Sequence, residues 1–313
     1  MSENFSANES LKELKKLSEK DNYSFEIPDD VSKLPGLESS QGMFPSCLEI
    51  TVKYEDEADL KELLLHLANF TNNIKNDKFV AFKLDSWSDI TIPPEIGLFK
   101  NLTTLTISWA NVESISPEIR NLKDLKNLNL SNNALSNLPD ISQLTNLEKL
   151  DLVKNKLVSL PEGIGKLKKL KTLKLEKNEL TSLPEEIGNL TLLENFKIKD
   201  NKLISLPASI GNLKYLPELD LSKNELVTLP SEIGLLKNLL NLFATDNAIE
   251  YLPSEIGNLE NLKLLWLGNN RLTTLPDEIT QLKSLMGLGL QNNNFSSEEE
   301  NKITAQLDFS PAF

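Results

Sequence analysis

The residues able to do chemistry are few. The chain holds one histidine, His66, and one cysteine, Cys47. Together they make at most half of a metal or thiol site, since protein zinc sites draw on three or four side chains. Both are expected to be structural, and no metal or cofactor is expected. Gly163-Ile164-Gly165-Lys166 has the look of a phosphate loop. It lacks the upstream glycine spacing and the Ser or Thr that should follow the lysine. Gly287 and Gly289 do not complete a dinucleotide fingerprint. Carboxylates are plentiful but scattered, and no histidine lies beside a nucleophile in the second two thirds of the chain. The chain is therefore read as a non-enzyme.

What recurs instead is leucine. Leucines at 102, 125, 147, 170, 193, 216, 239, 262 and 285 follow one another every 23 residues, with one step of 22. Each opens the phrase L-x-x-L-x-L-x-x-N-x-L, usually followed by x-x-L-P-x-x-I-G-x-L. A fixed period of this length is the mark of a stacked repeat. In the copy from Leu147, Leu150 and Leu152 alternate with Asp151, the pattern of a short strand. The apolar set then shifts to Leu157, Leu160, Ile164 and Leu167, a spacing that suits a tight helical turn. Pro161 fits the start of that turn, where its missing N–H costs nothing. Glu186, Glu232, Glu255 and Glu278 sit two residues after the proline of their copies, near the positive end of the turn's dipole. A strand plus a return arm cannot bury its leucines alone, so the copies must stack.

Asparagines at 133, 155, 178, 201, 224, 247, 270 and 293 form a second column. They fall where the chain leaves its strand and backbone groups lack sheet partners. An amide both donates and accepts, so each is expected to satisfy groups of its own repeat and the next. This column is read as structural.

The repeated phrase resembles the leucine-rich repeat family in its 23-residue "typical" class, over about residues 79 to 295. That class includes the repeat domains of Ras-pathway scaffolds, Scribble-like and Roco proteins and small bacterial proteins. The resemblance implies an α/β fold: a curved solenoid of about ten repeats, a parallel sheet on its concave face and short helical or 3-10 turns on the convex face. It also implies a protein-binding role.

Composition narrows the setting. The hydrophobic share is 39%, ordinary for a soluble protein, and no apolar run reaches the length of a membrane span. The start, MSENFSANESLKELKK, lacks the apolar core of a secretory signal. A single cysteine rules out an internal disulfide, which favours a reducing cytoplasm; a signal segment removed upstream would place the protein outside the cell instead. The net charge of −13 argues against nucleic acid and against an anionic membrane surface.

Along the chain, residues 1–45 read as a tail. Ser10 and Glu13 have capping-box spacing there, ahead of Leu11, Leu14 and Leu17. Residues 46–78 read as a strand and helix that cover the open end: Leu48, Ile50, Val52 and Tyr54 alternate, and Leu60, Leu63, Leu64 and Leu67 share a face. Repeats are expected over 79–295, the first two degenerate, with Trp87 and Ala110 in the asparagine column. Residues 296–313 read as a helical cap that starts at Ser296 or Ser297 and covers the last repeat with Ile303 and Leu307. This ending resembles the C-terminal cap of small bacterial leucine-rich repeat proteins, which points to a bacterial source.

In such an architecture the residues one, two, four, six and seven after each opening leucine or phenylalanine face the inner surface. Over the whole series they include 11 Lys against 9 Asp and Glu, a sign opposite to that of the chain. A face of that sign steers a partner with acidic groups. Phe243 and Trp266 are neighbours in the middle column, flanked by Leu240, Leu264 and Met286 at positions that are elsewhere mostly polar. Aromatic anchors on a rigid surface are typical of interfaces. Phe243 and Trp266 are therefore expected to be the hot spot, with Lys174 and Lys197 orienting the partner, and Trp109 is a separate candidate. The expected function is recognition of a partner protein by a monomer or weak dimer. A scaffold for a small GTPase or phosphatase and a bacterial host-interaction effector or adhesin are the alternatives.

Overall fold

The computed structural model describes residues 48–53, 64, 80–85, 90–307 and 311–313. The expected tail, His66, Cys47, Trp87 and most of the expected N-terminal helix lie outside them. The described residues fall into two compact units, divided between Asp151 and Leu152.

In the first unit, β1 (Leu48–Lys53) pairs in parallel with β2 (Val80–Asp85). Strand β3 (Ile90–Ile92) pairs in parallel with β5 (Val112–Ile115). Strands β4 (Thr104–Thr106), β6 (Asn127–Asn129) and β7 (Lys149–Asp151) form a third parallel set, in register at 23- and 22-residue steps. The 22-residue step passes through that ladder without a shift of register: Leu128 still pairs with Leu150.

The second unit repeats one plan. Its strands are β8 (Thr172–Lys174), β9 (Asn195–Lys197), β10 (Glu218–Asp220), β11 (Asn241–Phe243), β12 (Leu264–Trp266) and β13 (Gly287–Gly289). They are parallel and lie side by side in chain order. The return arms carry 3-10 turns, the one between β8 and β9 spanning Glu185–Asn189. The proline ahead of the turn sets its tightness. Pro184 has φ −68° and ψ 149°, and its carbonyl accepts from Ile187 N at 3.0 Å, the i→i+3 bond of a 3-10 turn.

Packing explains the repeated phrase. Leu173 and Leu175 from the strand, Leu180 and Leu183 beyond it, and Ile187 and Leu190 from the turn are all buried. Each such side chain contributes roughly 1.5–3 kcal/mol by leaving water. Phe196 replaces leucine at the centre of β9 and is fully enclosed. The glycine of I-G-x-L answers to the next repeat: a Cβ on Gly188 would lie 2.4 Å from the carbonyl oxygen of Ser209. The same contact, to Glu186, accounts for Gly165, so the second glycine of the phosphate-loop look-alike makes room for a neighbouring turn.

The asparagine column bonds to its own repeat and to the preceding one, rather than to the next. Asn201 Nδ2 donates to the carbonyls of Ile198 and, one repeat back, Leu175, at 3.1 and 2.9 Å. Its Oδ1 accepts from Leu180 N at 3.1 Å. The bond runs backward because the chain has already passed Leu180 and Leu175 when it reaches Asn201. In the first unit Ala110 occupies this column without an amide, and its own N–H donates to Asn133 Oδ1 at 3.1 Å.

At the far end, helix α1 (Ser297–Gln306) starts at Ser296, whose hydroxyl accepts from Glu299 N, and it buries Ile303. Pro311–Phe313 returns to the sheet. Ala312 N donates to Leu288 O at 2.9 Å, and Leu290 N donates to Ala312 O at 2.6 Å. This closes the outer edge of β13.

Asn201→Ala should lower the unfolding free energy by at least about 3 kcal/mol in a urea titration. It leaves two carbonyls and one N–H orphaned, each at about 1–3 kcal/mol. Asn212→Ala, at an exposed position of a return arm, should stay within about 0.5 kcal/mol. Equal losses would refute the bridging role.

Candidate functional site

Three-residue strands leave only two side chains per strand for the open face of the sheet. These are the residues two and four after each opening leucine, with a buried leucine or phenylalanine between them. The residue seven after does not share that geometry. Lys177, Asp200, Lys223, Asp246, Asn269 and Asn292 all have positive φ, from 56° at Asp246 to 62° at Asp200. The left-handed conformation turns the chain out of the strand, so these side chains stand at the rim. Asn and Asp tolerate it better than most residues. Three of them form a hydrogen-bonded series: Asn269 donates to Asp246 at 2.6 Å and Asn292 donates to Asn269 at 2.7 Å.

The register brings the expected apolar residues together. Phe243 is the direct neighbour of Trp266, and Leu264 of Asn241. Leu240, Phe243, Leu264 and Trp266 are half-buried, whereas Met286 is 74% exposed. Their arrangement depends on glycines. A Cβ on Gly289 would lie 2.7 Å from Cε3 of Trp266, and one on Gly287 would lie 3.0 Å from Cδ2 of Leu264. The indole and the leucine therefore lie over β13, whose lack of side chains forms their seat. Gly268 works the same way for Gln291, whose Cδ would be 2.8 Å from its Cβ. The signal for this in the sequence is that bulky Leu264 and Trp266 of one copy face Gly287 and Gly289 at the same positions of the next.

The lysines are arranged differently. Lys197 forms an ion pair with Glu218 on the adjacent strand, and Lys199 lies 3.7 Å from Asp220. These pairs are half exposed, so each adds little to stability, but they neutralise β10. Around β8 the charges are mixed: Lys171, Lys174 and Lys177 stand with Glu176 and, on the next copy, with Glu194 and Asp200. Lys174 is half-buried and pairs in register with Lys197.

Trp109 belongs to the first unit, lies beyond β4 at φ 61° and is 65% exposed. Its backbone N–H donates to the Asn132 carbonyl at 3.0 Å. No set of three or more His, Cys, Asp or Glu converges among the described residues, and no described helix is long and apolar enough to cross a membrane. Glu179 and Lys202 make a 2.8 Å pair outside the sheet face, and the ammonium holds the Glu179 carboxyl below its ordinary range.

Family models described as "Leucine rich repeat" match residues 100–157 and 145–203, and a further one matches residues 261–282. No curated protein matches the sequence significantly. Among solved structures, a leucine-rich repeat protein of Leptospira interrogans is 27% identical with a TM-score of 0.55, over 96% of this chain and 98% of that one. The plant peptide hormone receptor RGFR1 in complex with RGF2 is 33% identical with a TM-score of 0.62. That match takes in 73% of this chain but only 38% of the receptor chain. A plant ice-binding protein is 29% identical, with a TM-score of 0.55 over 68% of this chain and 71% of that one.

The seat beneath Trp266 can be tested directly. Gly289→Ala should drive the indole off β13 and cost about 1–3 kcal/mol of strain. In a Trp87→Phe/Trp109→Phe background the remaining emission should move to longer wavelength as the ring meets water. An unshifted spectrum would show that the ring does not rest on Gly289.

Proposed function

Because this chain is a leucine-rich repeat protein, we propose that it is a non-enzymatic recognition module that binds a partner protein through the open sheet face of residues 152–313. Phe243 and Trp266 act as the anchor, Leu240, Leu264 and Met286 widen it, and Lys174 and Lys197 orient the partner. The observation that carries this reading is the Phe243–Trp266 pair. Two aromatics sit side by side on neighbouring strands, at positions that carry polar side chains on β8 and β10. Large rigid side chains displace much water on docking and lose little rotamer freedom, which is why they dominate binding energies. The similarity to a plant receptor solved with a peptide hormone supports use of this fold for peptide or protein recognition. Likeness to a Leptospira interrogans protein over nearly the whole of both chains supports a bacterial source. The setting we propose is a reducing cytoplasm, which the single cysteine favours.

Affinity capture from lysate with mass spectrometry tests the reading. Phe243→Ala/Trp266→Ala should lose the captured partner, each truncation costing about 2 kcal/mol or more at a hot spot. Trp109→Ala should leave capture intact. Unchanged capture by the double variant would sink the assignment.

A further inference from the structure

We propose that one flank of the second unit, the surface from Lys156 to Val227 between the strands and the 3-10 turns, is a two-fold interface with a second copy of this chain. It leaves the sheet face open and does not depend on the binding reading above.

The flank is a regular surface. Counting each opening leucine as the first residue of its copy, Leu157, Leu180, Leu203 and Leu226 stand eleventh and are buried. In extended chain the tenth and twelfth side chains therefore both face out. Backbone bonds tie one copy to the next. Thr181 N donates to Val158 O at 3.2 Å, Ile204 N to Thr181 O at 3.3 Å and Val227 N to Ile204 O at 3.4 Å. Lys202 N and Glu225 N donate to Leu180 O and Leu203 O, both at 2.9 Å. Side chains along the flank are thus held about 4.8 Å apart.

Two rows run along it. The tenth residues are Lys156, Glu179, Lys202 and Glu225, which alternate in sign. Lys202 pairs with Glu179 at 2.8 Å. That ammonium is the main cause of the lowered Glu179 carboxyl, and Lys156 adds to it; Glu179 in turn holds Lys202 high, and Glu225 adds to that. The four charges therefore act on one another along the row. The twelfth residues are Val158, Thr181, Ile204 and Val227. The three aliphatic ones are 39% to 54% exposed and make one patch rather than scattered contacts with water. Ala248 and Glu250 take the two positions in the next copy and end both rows.

Reversed end to end, the charged row is its own complement. A two-fold axis between Glu179 and Lys202, running along the extended segments, lays each row on itself in the opposite direction. Lys156 then meets Glu225 of the second copy, and Glu179 meets its Lys202, each pair being made twice. In the apolar row Val158 meets Val227 and Thr181 meets Ile204. A two-fold along the stack would instead lay the charged row over Ser159, Ser182, Ser205 and Thr228 and leave the alternation unanswered. Two Lys against two Glu cancel, so the patch adds no repulsion between chains of net charge −13. The face spans roughly 19 by 13 Å, four strand spacings by four extended residues. That is well under the roughly 800 Å² per partner of a stable dimer, so the association is weak and reversible.

Sedimentation velocity of the full chain, from about 10 µM to about 1 mM, reads this range of affinity. The wild type should pass from monomer to dimer. Glu179→Lys alone and Lys202→Glu alone should each weaken self-association about tenfold or more, because each sets like charges together twice across the axis. An equimolar mixture of these two variants should regain the dimer, since each carries the charges that the other lacks. A role confined to the chain's own Glu179–Lys202 pair would give no such rescue. Ile204→Ser/Val227→Ser should weaken association as well, and thermal melts show that the variants fold. A wild type that stays monomeric overturns the inference. So do single charge variants or an apolar variant that dimerise like the wild type, and a mixture that fails to associate.

Discussion

The stack depends on the amide that joins one repeat to the one before it. Each strand of the second unit is only three residues long, too short to hold a ladder by itself. The chain leaves it through a left-handed residue, such as Asp200 before Asn201. That reversal points the carbonyl of Ile198 inward with no strand partner, and it does the same to Leu175 one repeat earlier. Asn201 donates to both and accepts from Leu180. No other neutral side chain of that length offers two donors and an acceptor on one rigid plane. The leucines supply most of the burial energy, but they would pack in many registers. The amide, with fixed partners 3, 21 and 26 residues back, accepts one.

That division of labour frees the face of the sheet. Leucine, asparagine, proline and the turn glycine are each accounted for by contacts within or between neighbouring repeats. The two open positions of each strand carry none of that load, so Thr172 and Lys174 on β8 can become Leu264 and Trp266 on β12 without any change in the ladder. The exception is β13. There the face positions are glycines because Leu264 and Trp266 already occupy the space above them. A residue type was fixed by its neighbour's side chain rather than by the repeat.

This explains what could be read in advance. The period, the strands and turns, and the buried columns are properties of residue type at fixed spacing. The adjacency of Phe243 and Trp266 followed as well, because a constant period is also a register. The sign of φ at Lys177 and Asp200 did not, since the left-handed turn is imposed by closure of the arm and carries no consistent residue type. The same limit made Trp109 look like a sheet residue, although it stands on the turn. The direction of the asparagine bonds needed three dimensions, because Leu180 and Leu226 hold equivalent places in the repeats before and after Asn201. The lean of Trp266 over Gly289 is a rotamer, and only the glycines hinted at it.

The return of Ala312 to β13 has a consequence for the site beside it. An exposed parallel edge offers unpaired N–H and C=O groups to any extended chain. Pairing Leu288 and Leu290 with Ala312 occupies groups of that edge. Beside it, Leu264 and Trp266 lie over the glycines of β13, so the sheet face there is apolar side-chain surface.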